Sequence, residues 1–166
     1  MSSPASSPPP KARYRHVLDA ADPPRIRALI EATGVFSKEE ARIAAELAET
    51  TLDGSETYRW LVADSGAELL GYTCFDRIPL SKVSFDLYWI AVSPEQRGSG
   101  LAAELMERTA KFIRSKHGTQ VFAETSSRDP YAPARGFYAK AGFEQVARFE
   151  DFYEAGDAKI TFRLKL

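Results

Sequence analysis

The chain is 166 residues long, with 27% charged residues and a formal net charge of −1. That length suits one domain with a sizeable core. The near-neutral balance gives no overall basic field to favour nucleic acid or an anionic membrane. No apolar run approaches the length needed to cross a bilayer. The single cysteine, Cys74, excludes an intrachain disulfide and fits a reducing, cytoplasmic setting. With only His16 and His117 beside it, soft ligands are too few for a zinc site.

Met1 to Pro10 is rich in Ser and Pro and has no hydrophobic stretch, so it is not a secretory signal. Residues 1–12 are expected to be a disordered tail and residues 13–166 the domain. Arg13 to Leu18 has room for a first strand. Asp22-Pro23-Pro24 reads as a helix start with Asp22 as cap. Ile26, Leu29 and Ile30 recur at helical spacing until Gly34. Ser37 with Glu40 makes a capping-box pattern for a second helix, whose apolar face is Ile43, Ala44, Leu47 and Ala48.

Tyr58, Trp60 and Val62 alternate in a strand. Asp64-Ser65-Gly66 is turn chemistry, and Leu69 to Ile78 is the antiparallel partner. Val83 to Val92 follows as a central strand. Strict alternation puts Val83, Phe85, Leu87, Trp89 and Ala91 on one face. Arg97-Gly98-Ser99-Gly100 then leads into an amphipathic helix ending near His117-Gly118. A strand, a glycine turn and a helix start in that order form an anion trap, because the first backbone N–H groups of a helix lack acceptors and the dipole favours negative charge. Gly98 and Gly100 let a ligand approach the main chain. Thr119 to Thr125 is a short strand, parallel to the central one through a right-handed crossover. Ala134 to Ala141 can form a short helix. Phe143 to Phe152 and Lys159 to Leu166 read as two last strands. The whole predicts an α/β (α+β) mixed sheet with helices on both faces. Cys74, Trp60 and Trp89 read as core residues.

Two motifs stand in this frame. Arg97-Gly98-Ser99-Gly100-Leu101-Ala102 resembles the signature of the GNAT superfamily of acetyl-CoA-dependent N-acyltransferases. Phe137-Tyr138-Ala139-Lys140-Ala141-Gly142-Phe143 resembles that superfamily's second landmark. The resemblance covers the chain from about Arg13 onward. It implies a mostly antiparallel sheet of about seven strands with a splay between the fourth and fifth. Ile90, Ala91 and Val92 would pair with the pantetheine arm of the cosubstrate acetyl-CoA. Amides from Arg97, Gly98, Ser99, Gly100, Leu101 and Ala102 would hold its pyrophosphate.

The resemblance further implies that Tyr138 is the general acid, since a phenol stays protonated at neutral pH and can donate to a leaving thiolate. Glu124 and Asp86 are both candidates for the base, and a base acting through ordered water is a third. The superfamily often has Asn seven residues before the tyrosine. Tyr131 stands there instead, as a residue of the substrate entrance or cofactor arm. Arg128 and Arg135 are candidates for the phosphates. Gly34-Val35-Phe36 and Phe152-Tyr153 are candidates for the acceptor channel. The expected reaction acetylates a primary amine of a small molecule, amino acid or peptide N-terminus by direct attack in a ternary complex, without metal. A CoA-retaining sensor module and a transferase of longer acyl groups are the alternatives, and a homodimer is left open.

Overall fold

The computed structural model describes residues 11–166; the Ser/Pro-rich run from Met1 to Pro10 lies outside it. Ala12 already packs against the core. Strand β1 is Arg13–Arg15, followed by helices α1 (Asp22–Ala32) and α2 (Lys38–Leu52). Strands β2 (Arg59–Asp64), β3 (Leu69–Arg77) and β4 (Ser84–Val92) lead to α3 (Leu101–Ser115). Strand β5 (Gln120–Ser126), helix α4 (Ala132–Lys140) and strands β6 (Glu144–Glu154) and β7 (Asp157–Lys165) complete the chain. The sheet has seven strands in the order β1-β2-β3-β4-β5-β7-β6. Among the described residues only the β4–β5 pair is parallel.

Each face of the sheet buries one helical layer. On one face α3 contributes Leu101, Leu105, Met106, Ala110 and Ile113, which meet Phe75, Phe85, Leu87 and Val121. On the other, Ile26 and Ile30 of α1 and Ala41, Ala44 and Ala48 of α2 meet Trp60, Val62, Tyr72 and Cys74. The alanines of α2 let that helix lie close to α1. The capping box forms as expected: the Ser37 hydroxyl accepts from the Glu40 amide at 3.1 Å, and the Glu40 carboxylate accepts from the Ser37 amide at 2.7 Å.

Two local expectations are corrected. Asp22 is not the helix cap; Ala21 holds that position, and Asp22 is the first helical residue. Its fully buried carboxylate takes two bonds from the Arg15 guanidinium, at 2.6 and 2.8 Å, and one from the Asp19 amide at 2.7 Å. Thus Asp22 ties β1 to α1. Replacing it with alanine leaves the Asp19 amide without its acceptor and the Arg15 guanidinium with only Asp64 and the Val17 carbonyl, and the expected loss is about 1–3 kcal/mol of unfolding free energy, read by urea denaturation.

The second correction concerns β4. Cys74 of β3 lies opposite Trp89, but Phe75 lies opposite Leu87, so Tyr88 is an extra residue in β4. This β-bulge exchanges the two faces of the strand. Phe85 and Leu87 face α3, while Trp89 and Ala91 join the α1/α2 side and Ile90 and Val92 turn towards α3. The alternation read from the sequence therefore holds only as far as Leu87.

Candidate active site

The bulge lies where the sheet opens. β4 and β5 pair over three positions, Ser84 with Gln120, Phe85 with Val121 and Asp86 with Phe122. Beyond Asp86 the strands diverge, and among the described residues the β5-facing edge of β4 from Leu87 to Val92 has no strand beside it. A cavity of about 440 Å³ fills the gap. Tyr88 to Val92 line one side of it, Glu124 to Ser126 of β5 the other, and Ala102, Ala134, Phe137 and Tyr138 close it from the helical side. Phe36, Glu40, Tyr131, Tyr153 and Asp157 form its outer rim.

Above the cavity the chain turns through Pro94–Gln96 into the glycine loop. Gly98 and Gly100 have φ of +76° and +86°, conformations that L side chains rarely adopt, and open space where a Cβ would lie. Arg97, Ser99 and Leu101 spend their amides on local turns, on Pro94 O, Gln96 O and the Ser99 hydroxyl. The first backbone bond into α3 is Glu104 N to Gly100 O. Among the described residues, the amides of Gly98, Gly100 and Ala102, within the stretch expected to form the cradle, have no acceptor and stand free at a helix N-terminus. This is the arrangement a diphosphate fits. The Arg97 side chain is directed elsewhere, donating to Thr33 O at 2.9 Å and fastening the loop to the end of α1.

Gly71 of β3 was not singled out from the sequence. It sits opposite Val92, and a Cβ there would lie 2.9 Å from the Ala91 carbonyl oxygen. Its bareness allows β3 to hold the open stretch of β4 closely.

Tyr138 is 7% exposed, with its ring against Phe137, Phe143 and Phe162 at centroid distances of 5.8, 5.2 and 5.3 Å. Its hydroxyl has no hydrogen-bond partner among the described residues, and the side chain lines the cavity. Burial pushes the phenol up to about 12, so it remains protonated across the physiological range. Glu124 is half exposed, lines the cavity and lies 3.6 Å from Lys159 Nζ. Asp86 is not in the main cavity. It lines an adjoining cavity of about 240 Å³, which Glu124, Tyr88 and Tyr153 share. Burial first, and then the charge of Glu124, raises the Asp86 carboxyl above its ordinary range.

Of the remaining candidates, Phe36, Tyr131 and Tyr153 all reach the cavity. Tyr131 donates to Glu40 at 3.0 Å, a contact across 91 residues that no local pattern reveals. Trp89, expected in the core, is a cavity wall packed edge-on to Phe36. Arg128 pairs with Glu154 at 3.1 Å, and Arg135 donates to the carbonyls of Ser126 and Arg128. Neither side chain lines the cavity. Cys74 is fully buried, and burial pushes its thiol far up, which leaves it inert as a nucleophile. Among the described residues no cluster of His, Cys, Asp or Glu could hold a metal ion, and no helix is long and apolar enough to cross a membrane.

The comparisons with known proteins agree with this geometry. The family model described as an acetyltransferase (GNAT) domain matches residues 56–145, from the start of β2 to the start of β6. The crystal structure of a protein assigned to the GNAT family of acetyltransferases in Desulfovibrio desulfuricans is 37% identical. It superposes with a TM-score of 0.90 over 93% of this chain and 99% of that one. An aminoglycoside 6'-N-acetyltransferase bound to coenzyme A shares 15% identity and a TM-score of 0.72, over 92% of this chain and 96% of that one. The ribosomal-protein-S18-alanine N-acetyltransferase of Escherichia coli shares 15% identity and a TM-score of 0.71, over 93% and 94%. At such identity the last two speak for the fold alone. No curated protein sequence matches the chain. The matched span contains the bulged strand, the glycine loop and Tyr138, and with the close Desulfovibrio relative it shows that the chain belongs to the GNAT family and is an N-acetyltransferase.

Proposed function

We propose that the protein transfers the acetyl group of acetyl-CoA to a primary amine by direct attack within a ternary complex. The observation that carries this reading is Tyr138, a buried side chain whose unpartnered hydroxyl opens into the cavity between the diverging strands. The unpaired edge of β4 from Ile90 to Val92 suits the amides of a pantetheine arm, with the free donors of Gly98, Gly100 and Ala102 at the diphosphate. The backbone near Val92 supplies the donor that polarises the thioester carbonyl.

The proton inventory assigns the remaining roles. An amine arrives as ammonium, and one proton must leave before its nitrogen attacks. Glu124, whose carboxylate lines the main cavity, takes that proton. As the N–C bond forms and the C–S bond breaks, Tyr138 donates its proton to the sulfur, the nitrogen gives up its second proton to restore the phenol, and CoA departs as the thiol. Asp86 lies one cavity further on and exchanges protons with Glu124 rather than with the amine. Because its carboxyl is raised, Asp86 is protonated over more of the mildly acidic range than an ordinary aspartate, and it works as an acceptor only above its shifted value.

Thiol release from acetyl-CoA across a panel of amines, followed by the mass of the product, tests the reaction. With mixed acyl-CoAs, an acetylated product supports the assignment, whereas a longer acyl adduct would replace it. Tight CoA binding without thiol release for any amine would make the protein a binding module. Glu124→Gln is expected to lower kcat/KM about hundredfold and to remove the acidic limb of the pH–rate profile, with Asp86→Asn costing about fivefold. The reverse order would assign the base to Asp86. An intact limb in both variants would assign proton removal to water.

A further inference from the structure

We propose that the acceptor is a polycationic amine: one nitrogen is acetylated beside Tyr138 while a second cationic nitrogen is held by Glu40 and Tyr131 in the corner formed by Phe36 and Trp89. This rests on the acetyl-transfer reading above and adds the substrate class.

Three carboxylates, Glu40, Glu124 and Asp157, line the cavity, and no lysine, arginine or histidine does. Lys159, which pairs with Glu124, stands outside the lining. Its Nζ lies 3.6 Å from Glu124 and over the exposed rings of Phe152 and Phe149, at 4.1 and 5.3 Å. The negative field is felt inside. The Tyr153 phenol is raised by burial and then by the charges of Glu124, Asp157 and Glu40 together. Tyr131 is pushed up to about 12 by burial and then by its bond to Glu40 and the charges of Glu40 and Asp157, against the opposing charge of Arg128.

Glu40 is held in place for this purpose. Its capping bond to the Ser37 amide and the two contacts from the Tyr131 hydroxyl, at 3.0 and 3.2 Å, fix the carboxylate on the cavity rim. A carboxylate has about four acceptor positions, so Glu40 keeps capacity for a further donor. Beside it, Phe36 packs edge-on to Trp89 at 5.2 Å and to Tyr131 at 5.9 Å. Aromatic faces next to a fixed carboxylate suit a partly desolvated ammonium. The Tyr138 side chain, more than nine-tenths buried and with its hydroxyl unpartnered among the described residues, independently marks the same cavity as made for a ligand with a polar group. An acceptor carrying its own carboxylate, such as a free amino acid, would meet three like charges there.

Three five-carbon amines differing only at the far end isolate the effect: 1,5-diaminopentane, n-pentylamine and 5-aminopentanoate. With saturating acetyl-CoA, kcat/KM is expected to be about tenfold higher for the diamine than for the alkylamine and about hundredfold higher than for the amino acid. Glu40→Gln and, separately, Tyr131→Phe should shrink the advantage of the diamine over the alkylamine to about twofold, by the same scale. Spermidine and a 2-deoxystreptamine aminoglycoside form two further arms. Whichever exceeds n-pentylamine identifies the linear or the amino-sugar source of the polycation. Equal rates for 5-aminopentanoate and the diamine, or a diamine advantage that survives both substitutions, would overturn the inference and leave acetyl transfer standing. Acetyl-CoA binding with no thiol release for any of the five amines would overturn acetyl transfer itself.

Discussion

Tyr138→Phe is expected to lower kcat by about hundredfold while leaving the KM for acetyl-CoA within about twofold. The substitution is unusually clean. The ring is held by Phe137, Phe143 and Phe162, contacts that phenylalanine keeps. The lost hydroxyl bonds to none of the described residues, so no buried partner is orphaned, and the melting temperature should not fall. What disappears is the proton delivered to sulfur. Burial lifts the phenol to about 12, which would make it a poor acid towards a solvated thiolate. A thiolate expelled into the same dry cleft is desolvated as well, however. Its affinity for the proton rises by the same physics that raises the buried Cys74 thiol. The two shifts offset each other, and donation remains feasible. The elevated phenol also means that Tyr138 stays protonated through pH 10, so no alkaline fall of kcat below that pH belongs to it. A Tyr138→Phe enzyme with unchanged turnover would remove the acid from the mechanism.

Much of this site was legible from local sequence because its parts are contiguous. The glycine loop, the strand before it and the Phe137-Tyr138 landmark are each set by a few neighbouring residues, and they appear where the chain order places them. What escaped depends on distant pairing. The β4 bulge at Tyr88 is a property of the register against β3, and it turned Trp89 from an expected core residue into a cavity wall. Glu40 read as half of a capping box, which it is, but its second role requires Tyr131, brought near by the packing of α2 against the segment before α4. Asp22 read as a cap because aspartate before proline usually is one. The partly buried Arg15 guanidinium claimed its carboxylate instead. The amide census of the loop likewise could not be read from glycine spacing alone, since Arg97 and Ser99 use their donors in turns that form only once Pro94–Gln96 folds.

That census leads to the other large effect, expected from the opposite end of the ligand. Gly100→Val should raise the KM for acetyl-CoA by about tenfold to hundredfold while kcat at saturation falls much less. Two costs add. At φ +86° an L residue is strained by about 1–2 kcal/mol, and a β-branched one at the upper end. Relaxing that strain rotates the peptide that presents the Gly100 amide and the start of α3, weakening charge-assisted bonds to phosphate of about 1.5–3 kcal/mol each. Every 1.4 kcal/mol is a factor of ten. The open space at the Gly100 Cβ position is also the space through which a diphosphate would approach, so the isopropyl group obstructs it. Gly136→Ala is the matched control. It lies in α4, outside the cavity lining, with equal room for a methyl group and no left-handed backbone, and it should leave KM unchanged. The contrast is best read by calorimetric titration with CoA, which lacks the acetyl group and so isolates the grip on the phosphates from the chemistry at Tyr138. Equal CoA affinity in the Gly100→Val and Gly136→Ala proteins would show that the diphosphate is held elsewhere on the surface.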